Sequence, residues 1–363
     1  MAKYEIEVWS KSGKPLGNIR QFCKDLTWSK SLNDVETVTF SIDLMRYEEL
    51  LEGAGFKDDP FGLLDVGNHD IRIKRNGKYL LGANIIQIGY SVQDPSITMA
   101  VSCYGYLNYY KTRYITASYT DWWQEDILND VIVKCNAETG GDYGVRRGTT
   151  TGAHQVKRTR TYLRKEVKSL IQQMSDVING PDFDFSPDKK FNVYDVKGVY
   201  RPSVRLAFPG NIQSFNFNRS IEKVSNFVWA VGSGNGEDAV IATSEDTASE
   251  NALYRREKIA TYNSVVLQDT LKQHANAVIH YTKDIIELPS VTVPDGVLDL
   301  NEVDVGDTVS VSMAGALSLS HINGNYRIQE LDVTVDDNDS ETVSIAFDDI
   351  DIDDIISKQE TEE

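Results

Sequence analysis

Residues 26–42 read LTWSKSLNDVETVTFSI, and residues 215–231 read FNFNRSIEKVSNFVWAV. Both stretches alternate apolar and polar side chains, a period that predicts β-strands. Aligned without gaps, they match in hydrophobic, hydroxyl or aromatic character at Leu26/Phe215, Trp28/Phe217, Ser31/Ser220, Leu32/Ile221, Val35/Val224, Val38/Phe227, Phe40/Trp229 and Ile42/Val231. The match predicts an internal duplication of a β-rich unit.

A second pair of similar segments supports the duplication. Residues 65–73 read DVGNHDIRI and residues 304–311 read DVGDTVSV, which raises the offset from 189 to 239. An insertion of about fifty residues is therefore expected inside the second copy, and the apolar spacing over 267–283 predicts a helix there. Two further alternating runs follow each DVG segment, so each copy is expected to end as a β-meander. In the first copy, Asn76-Gly77 predicts a type I′ hairpin turn.

Residues 113–203 have a different pattern, which predicts two amphipathic helices and a short β pair. The first helix is expected to start near Asp121 as its cap, with Trp123, Ile127, Leu128 and Val131 on one face. The second is expected over residues 162–178. The fold class is therefore mainly β with an α+β insertion and two β-barrel domains related by duplication. The expected domains are a first barrel (1–112), an inserted α+β domain (113–203), a second barrel (204–350) containing the helix near 267–283, and an acidic tail (351–363) that frays.

Composition narrows the class of protein. The chain has 363 residues, 40% of them hydrophobic, and a net charge of −18. It contains no apolar run of the roughly 18 residues needed to span a membrane and no secretory signal pattern. Its acidic balance disfavours tight binding to nucleic acid, since that affinity comes mainly from Lys and Arg. The three cysteines, Cys23, Cys103 and Cys135, lack metal-ligand spacing and are expected to be buried free thiols.

No catalytic, cofactor-binding or metal-binding pattern is present. His274 and His280 lie six residues apart on the predicted helix, and so on different faces. The GSGNG segment (232–236) lacks the strand, helix start and lysine that frame a phosphate loop. The acidic segment 348–354 lacks the glycine and the terminal glutamate of an EF-hand loop. Neither an enzymatic activity nor a cofactor is therefore expected.

One segment reverses the acidic trend. Residues 144–168 carry eight basic side chains against Glu166, in a Gly- and Thr-rich stretch that predicts a long exposed loop or hairpin. We call five of these residues the basic cluster: Arg146, Arg147, Lys157, Arg158 and Arg160. They form a candidate contact site for an acidic partner surface or a nucleic acid, with a plain solvated loop as the alternative.

These features together resemble the hub proteins of long-tailed bacteriophage tail tips and baseplates, including the N-terminal part of tail-associated lysins. The resemblance covers nearly the whole chain. It rests on SLNDVETVTFSI, on DVGNHDIRIKRNGKYLLGANI ending in YGYLNYY, on NFVWAV, and on the helix followed by DVGDTVSVSM and NGNYRIQELDVTV. It implies two tail-tube-like barrels per chain and a homotrimer forming a ring of six quasi-equivalent barrels.

The resemblance also implies partners and a place in a particle. Such a ring adapts a six-fold tail tube or distal tail ring to a three-fold fibre, spike or receptor-binding protein, in a virion assembled from proteins made in the host cytoplasm. The tape-measure protein and DNA would pass through its channel, and its wall is expected to be neutral to acidic, with the basic cluster facing away from it. Many relatives continue into a hydrolase or receptor-binding region, so lytic activity is expected on another chain. The alternative is a non-phage β-barrel binding module or a cell-wall or carbohydrate-acting enzyme.

Overall fold

The computed structural model describes residues 2–56, 59, 61–93, 96–152, 156–176, 179–234, 236–262, 265–315 and 322–347. The protein is mainly β, as the sequence predicted. Among the described residues, no helix combines the length and apolar character required to cross a bilayer.

The first unit is an antiparallel sheet with one α-helix among its described residues. Its order is β3-β4-β7-β6-β5-β1-β2. Asn76 and Gly77 both have positive φ between β5 and β6, which confirms the hairpin. Asp43 caps the helix by accepting a hydrogen bond from the Met45 amide at 3.0 Å. The elements are β1 (Tyr4–Ser10), β2 (Pro15–Asn18), β3 (Cys23–Ser31), β4 (Thr37–Asp43), α1 (Leu44–Gly53), β5 (His69–Arg75), β6 (Lys78–Gln93) and β7 (Ser96–Gly105).

The middle unit combines two small sheets with two helices. Its elements are β8 (Tyr114–Trp123), α2 (Gln124–Ala137), β9 (Arg146–Thr151), β10 (Lys157–Glu166), α3 (Val167–Asp176), β11 (Asp182–Phe185) and β12 (Lys190–Tyr194). β8 pairs with β10, and β12 lies between β11 and β9. The α+β character is confirmed.

Both helix starts in the middle unit were predicted too early. α2 begins at Gln124 after Trp123, and Asp121 is a strand residue with φ of 57° rather than a cap. α3 begins at Val167 instead of residue 162, because residues 157–166 pair with β8 as a strand. Leu163, counted as part of the apolar helix face, is 77% exposed on that strand. The predicted loop between the helices contains β9 and the start of β10.

The second unit repeats the order of five strands of the first. Its strands are β13 (Tyr200–Phe208), β14 (Ser214–Ser220), β18 (Ile286–Pro294), β19 (Thr308–Met313), β20 (Asn323–Val335) and β21 (Glu341–Phe347). The order β14-β18-β21-β20-β19 matches β3-β4-β7-β6-β5. The Gly67 amide donates to the Ile85 carbonyl at 2.8 Å, and the Gly306 amide donates to the Ile328 carbonyl at the same distance. The duplication is therefore seen in strand order and hydrogen bonding alike.

The duplicated segments correspond less completely than the ungapped match suggested. Residues 215–220 occupy the place of residues 26–31, but residues 227–231 form β15 of a separate sheet, and β18 takes the place of β4. The superposition of 26–42 on 215–231 was therefore wrong beyond the first strand. A short apolar strand has the same pattern in any sheet, so its pattern does not specify its neighbours.

The insertion in the second unit lies between β14 and β18. It contains β15 (Phe227–Val231), β16 (Ile241–Glu245), α4 (Thr247–Leu253), β17 (Glu257–Thr261) and α5 (Gln268–Thr282). The helix expected near 267–283 is thus present as α5. This insertion packs around its own apolar cluster, centred on Val228, Tyr262 and Leu271.

Three apolar cores organise the described residues. The largest is shared by both β units and extends from Tyr4 and Trp28 to Val333 and Phe347. The other two belong to the middle unit and to the insertion. The domain boundaries given above stay predictions, and the tail 351–363 and the acidic segment 348–354 lie outside the described residues. Cys23, Cys103 and Cys135 are buried free thiols, as expected.

Candidate functional site

A continuous eight-stranded sheet is the main surface formed by the duplication. β20 pairs antiparallel with β3, so the order β14-β18-β21-β20-β3-β4-β7-β6 runs through both units without a break. One face of this sheet covers the shared apolar core. The other is a polar face that the two units form together.

The polar face consists mostly of hydroxyl-bearing and small side chains. Hydroxyl pairs link neighbouring strands at 2.6 Å (Thr27–Thr39) and 2.7 Å (Ser29–Thr37). The described residues of this face include one basic side chain, Lys24, which lies at one margin. They include three carboxylates, Asp25, Glu330 and Asp332. The hydroxyl, amide and alanine positions are Thr27, Ser29, Thr37, Thr39, Ser41, Gln87, Ser91, Thr98, Ala100, Ser102, Asn216, Ser290, Thr292, Thr334, Thr342, Ser344 and Ala346.

The joint between the two units is a complete strand pairing with side-chain contacts at its end. Val333 and Val335 of β20 lie opposite Trp28 and Leu26 of β3, and all four are at most 3% exposed. The Leu32 amide donates to the Gln329 carbonyl at 2.8 Å, which extends the pairing beyond the strand.

Polar contacts at the same joint fix the register. Lys30 Nζ lies 3.0 Å from Asp304 Oδ1, and the Ser31 hydroxyl donates to Glu330 Oε1 at 3.1 Å. Burial opposes ionisation of Asp304, but the charges of Lys30 and Lys197 outweigh it and hold the pKa of this carboxyl well below its usual range. The joint is therefore both apolar and charge-matched.

A second contact between the units is a buried ion pair. Arg75 Nε donates to Glu341 Oε1 at 2.5 Å, and the Tyr4 hydroxyl donates to the same oxygen at 2.7 Å. The side chains of Arg75 and Glu341 are 7% and 0% exposed. Burial and the nearby Glu341 carboxylate raise the pKa of Tyr4. Because the pair joins β5 to β21, it couples the two units.

A polar cavity of about 320 Å³ lies where the middle unit meets both barrels. Lys197 Nζ bridges Asp184 at 3.0 Å and Asp304 at 3.2 Å within it. Glu36 lines it as well, and burial raises the pKa of Glu36 to about 7. The described residues contain no group of three or more His, Cys, Asp or Glu side chains arranged to hold a metal ion. The side chains facing this cavity hold the three units together by charge pairing.

The basic cluster lies on the surface of the middle unit, divided between two sheets. Arg146 and Arg147 belong to β9, and the other three residues belong to β10. Carboxylates lie beside Arg146 (Asp142 at 2.7 Å), Arg147 (Asp126 at 3.6 Å) and Lys157 (Asp121 at 2.6 Å).

Arg158 and Arg160 also make hydrogen bonds to uncharged groups. Arg158 Nε donates to Gln124 Oε1 at 2.9 Å, and Arg160 Nη1 donates to the Thr159 carbonyl at 3.2 Å. Beside the cluster, Trp122 and Val133 are 44% and 56% exposed along an open groove of about 470 Å³. The surface is therefore mixed in charge and partly apolar, which sequence alone did not predict, because the acidic partners are scattered along the chain.

Comparison with solved structures identifies the fold. A tail protein from Neisseria meningitidis superposes with a TM-score of 0.67 at 11% identity over 98% of both chains. A 43 kDa tail protein of prophage MuSo2 from Shewanella oneidensis gives 0.65 at 10% identity over 95% of this chain and 98% of the other. Prophage tail protein gp18 from Listeria monocytogenes gives 0.60 at 11% identity over 99% of both.

No protein-family model and no curated protein matches the sequence. At such low identity, the structural likeness concerns the fold, and it extends over almost the full length of each compared chain. The resemblance stated from the sequence motifs is confirmed at this level. The chain shares the fold of these tail proteins.

Proposed function

We propose that this protein is the structural hub at the tail tip of a long-tailed phage or a phage-like particle. Three copies would form a ring of six quasi-equivalent barrels. The ring would match a six-fold tail tube or distal tail ring on one side and a three-fold fibre, spike or receptor-binding protein on the other. The observation that carries the proposal is the eight-stranded sheet built from two equivalent four-stranded halves.

The dimensions of such a ring suit a channel. Three chains with eight strands each supply 24 strands. With neighbouring strands about 4.8 Å apart, the circumference is about 115 Å and the backbone diameter about 37 Å before strand tilt widens it. Barrels of this size leave an open interior rather than a packed core.

The side chains of the polar face suit the passage of DNA and the tape-measure protein. A wall of hydroxyl and amide groups with a few carboxylates cannot replace the counterions that neutralise DNA phosphates. Such a wall therefore does not retain DNA. If this face lines the channel, the basic cluster, which lies on the middle unit, points to a neighbouring tail protein instead. The mixed charge and exposed Trp122 of that surface fit a protein partner.

The size and shape of the assembled particle test the proposal. A trimer has three times the 40.7 kDa of the chain, about 122 kDa, by native mass measurement. Negative-stain images of the protein with its tail partners are expected to show a three-fold ring with an open centre. A compact monomer under those conditions would contradict the hub and favour the alternative, a β-barrel binding module or a carbohydrate-acting enzyme.

A further inference from the structure

The two units have unequal surroundings, although their strands are equivalent. β3 is paired on both sides, by β4 and by β20, whereas its equivalent β14 is paired by β18 alone. On one of its edges, β20 pairs with β19 along its first half and with β3 along its second half. On the corresponding edge, β6 pairs with β5 along its first half only, so its second half is paired by β7 alone. In the described structure, one open edge therefore remains at each end of the eight-stranded sheet.

The equivalence of β6 and β20 can be fixed residue by residue. The β6–β7 ladder shifts register between Ile85 and Gln87, and the β20–β21 ladder shifts between Ile328 and Glu330. Each strand therefore has one bulge residue at the same place. Beyond the bulge, Gln87 corresponds to Glu330, so Tyr90 corresponds to Val333 and Val92 to Val335.

The open edge of β6 carries apolar side chains where β20 carries buried ones. Tyr90 and Val92 are 56% and 71% exposed, whereas Val333 and Val335 are 1% and 0% exposed against β3. On the other edge, Phe215 and Phe217 are only partly buried, whereas the equivalent Leu26 and Trp28 are fully buried. An unpaired strand edge with exposed apolar side chains is an association surface.

We infer that β6 of one chain pairs antiparallel with β14 of the next chain, repeating the β20–β3 joint that links the two barrels within a chain. The inference rests on the proposed ring and specifies its interface. The transferred register places Gln87 opposite Ser220, Tyr90 opposite Phe217, and Val92 opposite Phe215. This head-to-tail contact is heterologous, and it closes into a ring when the rotation per chain is 120°.

The polar contacts of the joint also transfer. Lys30 corresponds to Arg219 and Asp304 to Asp65, so the 3.0 Å pair within the chain has an intermolecular counterpart between Arg219 and Asp65. The pairing of the Leu32 amide with the Gln329 carbonyl corresponds to the Ile221 amide with the Ile86 carbonyl of the neighbour. Apolar, ionic and backbone groups therefore all find counterparts at one register.

A disulfide cross-link tests the register. The Gln87→Cys/Ser220→Cys protein is expected to form interchain disulfides, since directly opposed strand residues lie within disulfide reach. Within one chain these positions are seven strand spacings apart, about 34 Å, and cannot be bridged. The matched positive control is Ser31→Cys/Glu330→Cys, which closes a disulfide inside one chain. The negative control is Gln87→Cys/Thr342→Cys, because Thr342 lies on β21 inside the sheet.

After mild oxidation at high protein concentration, the number of chains in the cross-linked products tests the inferred interface and the proposed trimer separately. Covalent products that end at three chains support both. A native trimer without the 87–220 cross-link, while the positive control closes, overturns the inferred interface and leaves the trimeric hub standing. Cross-linked products extending beyond three chains support the pairing and overturn the trimer. Monomer alone in the presence of the tail partners, with the control closed, overturns both the interface and the trimer.

A charge exchange provides a second test that does not depend on cysteine geometry. Arg219→Asp alone is expected to weaken trimer formation at least tenfold, because it places two carboxylates together at the interface. Adding Asp65→Arg is expected to restore the association to within about threefold. If the double variant associates no better than the single one, the inferred contact is wrong. Monomer melting curves check that each variant is folded.

Discussion

Glu36 gives the chain a specific pH dependence of stability. The residue is 9% exposed, and its Oε2 is a buried atom without a hydrogen-bond partner among the described residues. This oxygen lies 1.9 Å from the place that a Cβ on Gly105 would occupy. Burial raises its pKa from 4.5 to about 7, against the lowering effect of Lys30 and Lys197. The change chosen is Glu36→Gln, which keeps the shape of the protonated acid.

The magnitude follows from linkage between protonation and folding. A pKa raised by about 2.5 units corresponds to about 3 kcal/mol, at 1.36 kcal/mol per unit. Because the folded-state pKa is the higher one, this stability is fully present below pH 4.5 and is lost as the pH rises through about 7. The Gln variant should therefore equal the wild type near pH 4.5 and exceed it by about 3 kcal/mol at pH 8.5.

Calorimetric melting at these two pH values measures the effect. For a cooperative unit of about 200 residues, 3 kcal/mol corresponds to a rise of about 6–12 °C in Tm at pH 8.5. Glu48→Gln is the matched control, since Glu48 is exposed on α1 and should change stability by less than about 0.5 kcal/mol at either pH. A Glu36→Gln protein that is less stable than wild type at pH 8.5, or equally shifted at both pH values, would refute the reasoning.

Three further predictions concern other parts of the molecule. Glu341→Gln should cost about 3–5 kcal/mol of unfolding free energy by leaving Arg75 buried without its carboxylate, and Arg75→Met/Glu341→Leu should recover most of it in the same urea titration. Gly198→Ala should destabilise the protein more than Gly296→Ala. Both glycines have positive φ, but the new Cβ at residue 198 would lie 2.1 Å from the Gly306 carbonyl carbon, whereas the space at Gly296 is open. Equal melting temperatures of the two variants would contradict this. Replacing the four arginines of the basic cluster with glutamine should leave the melting curve and the trimer mass unchanged while weakening co-purification with neighbouring tail proteins, and a loss of trimer instead would place the cluster at the chain–chain interface.

The sequence predicted the features that depend on strong local patterns. The alternating pattern and the two DVG segments were sufficient to predict the duplication, and Asn76-Gly77 was sufficient to predict the hairpin. These signals depend on the backbone of a few neighbouring residues. The start of α3 was missed because Leu163 fits a helical period, although residues 157–166 gain more by pairing with β8. The helix or strand propensity of a segment carries no information about a partner strand about 40 residues away in the chain.

The assembly surface could be predicted only in part. The polar face was not recognised, because serine and threonine alternating with apolar residues are typical of any half-buried strand. β18 was missed as the equivalent of β4, since the insertion separates it from β14 by 65 residues and NFVWAV offered a closer match in pattern. The open edges of β6 and β14 became visible only when the equivalent edges inside the chain were seen to be paired.

The central claim is that three copies close one continuous sheet around a channel. A cryo-electron microscopy map of the assembled ring tests it most directly. The account predicts 24 strands in an unbroken barrel, with β6 of each chain hydrogen-bonded to β14 of the next and the hydroxyl-rich face lining the lumen. A ring in which these two edges face solvent, or in which the basic cluster lines the lumen, would contradict it.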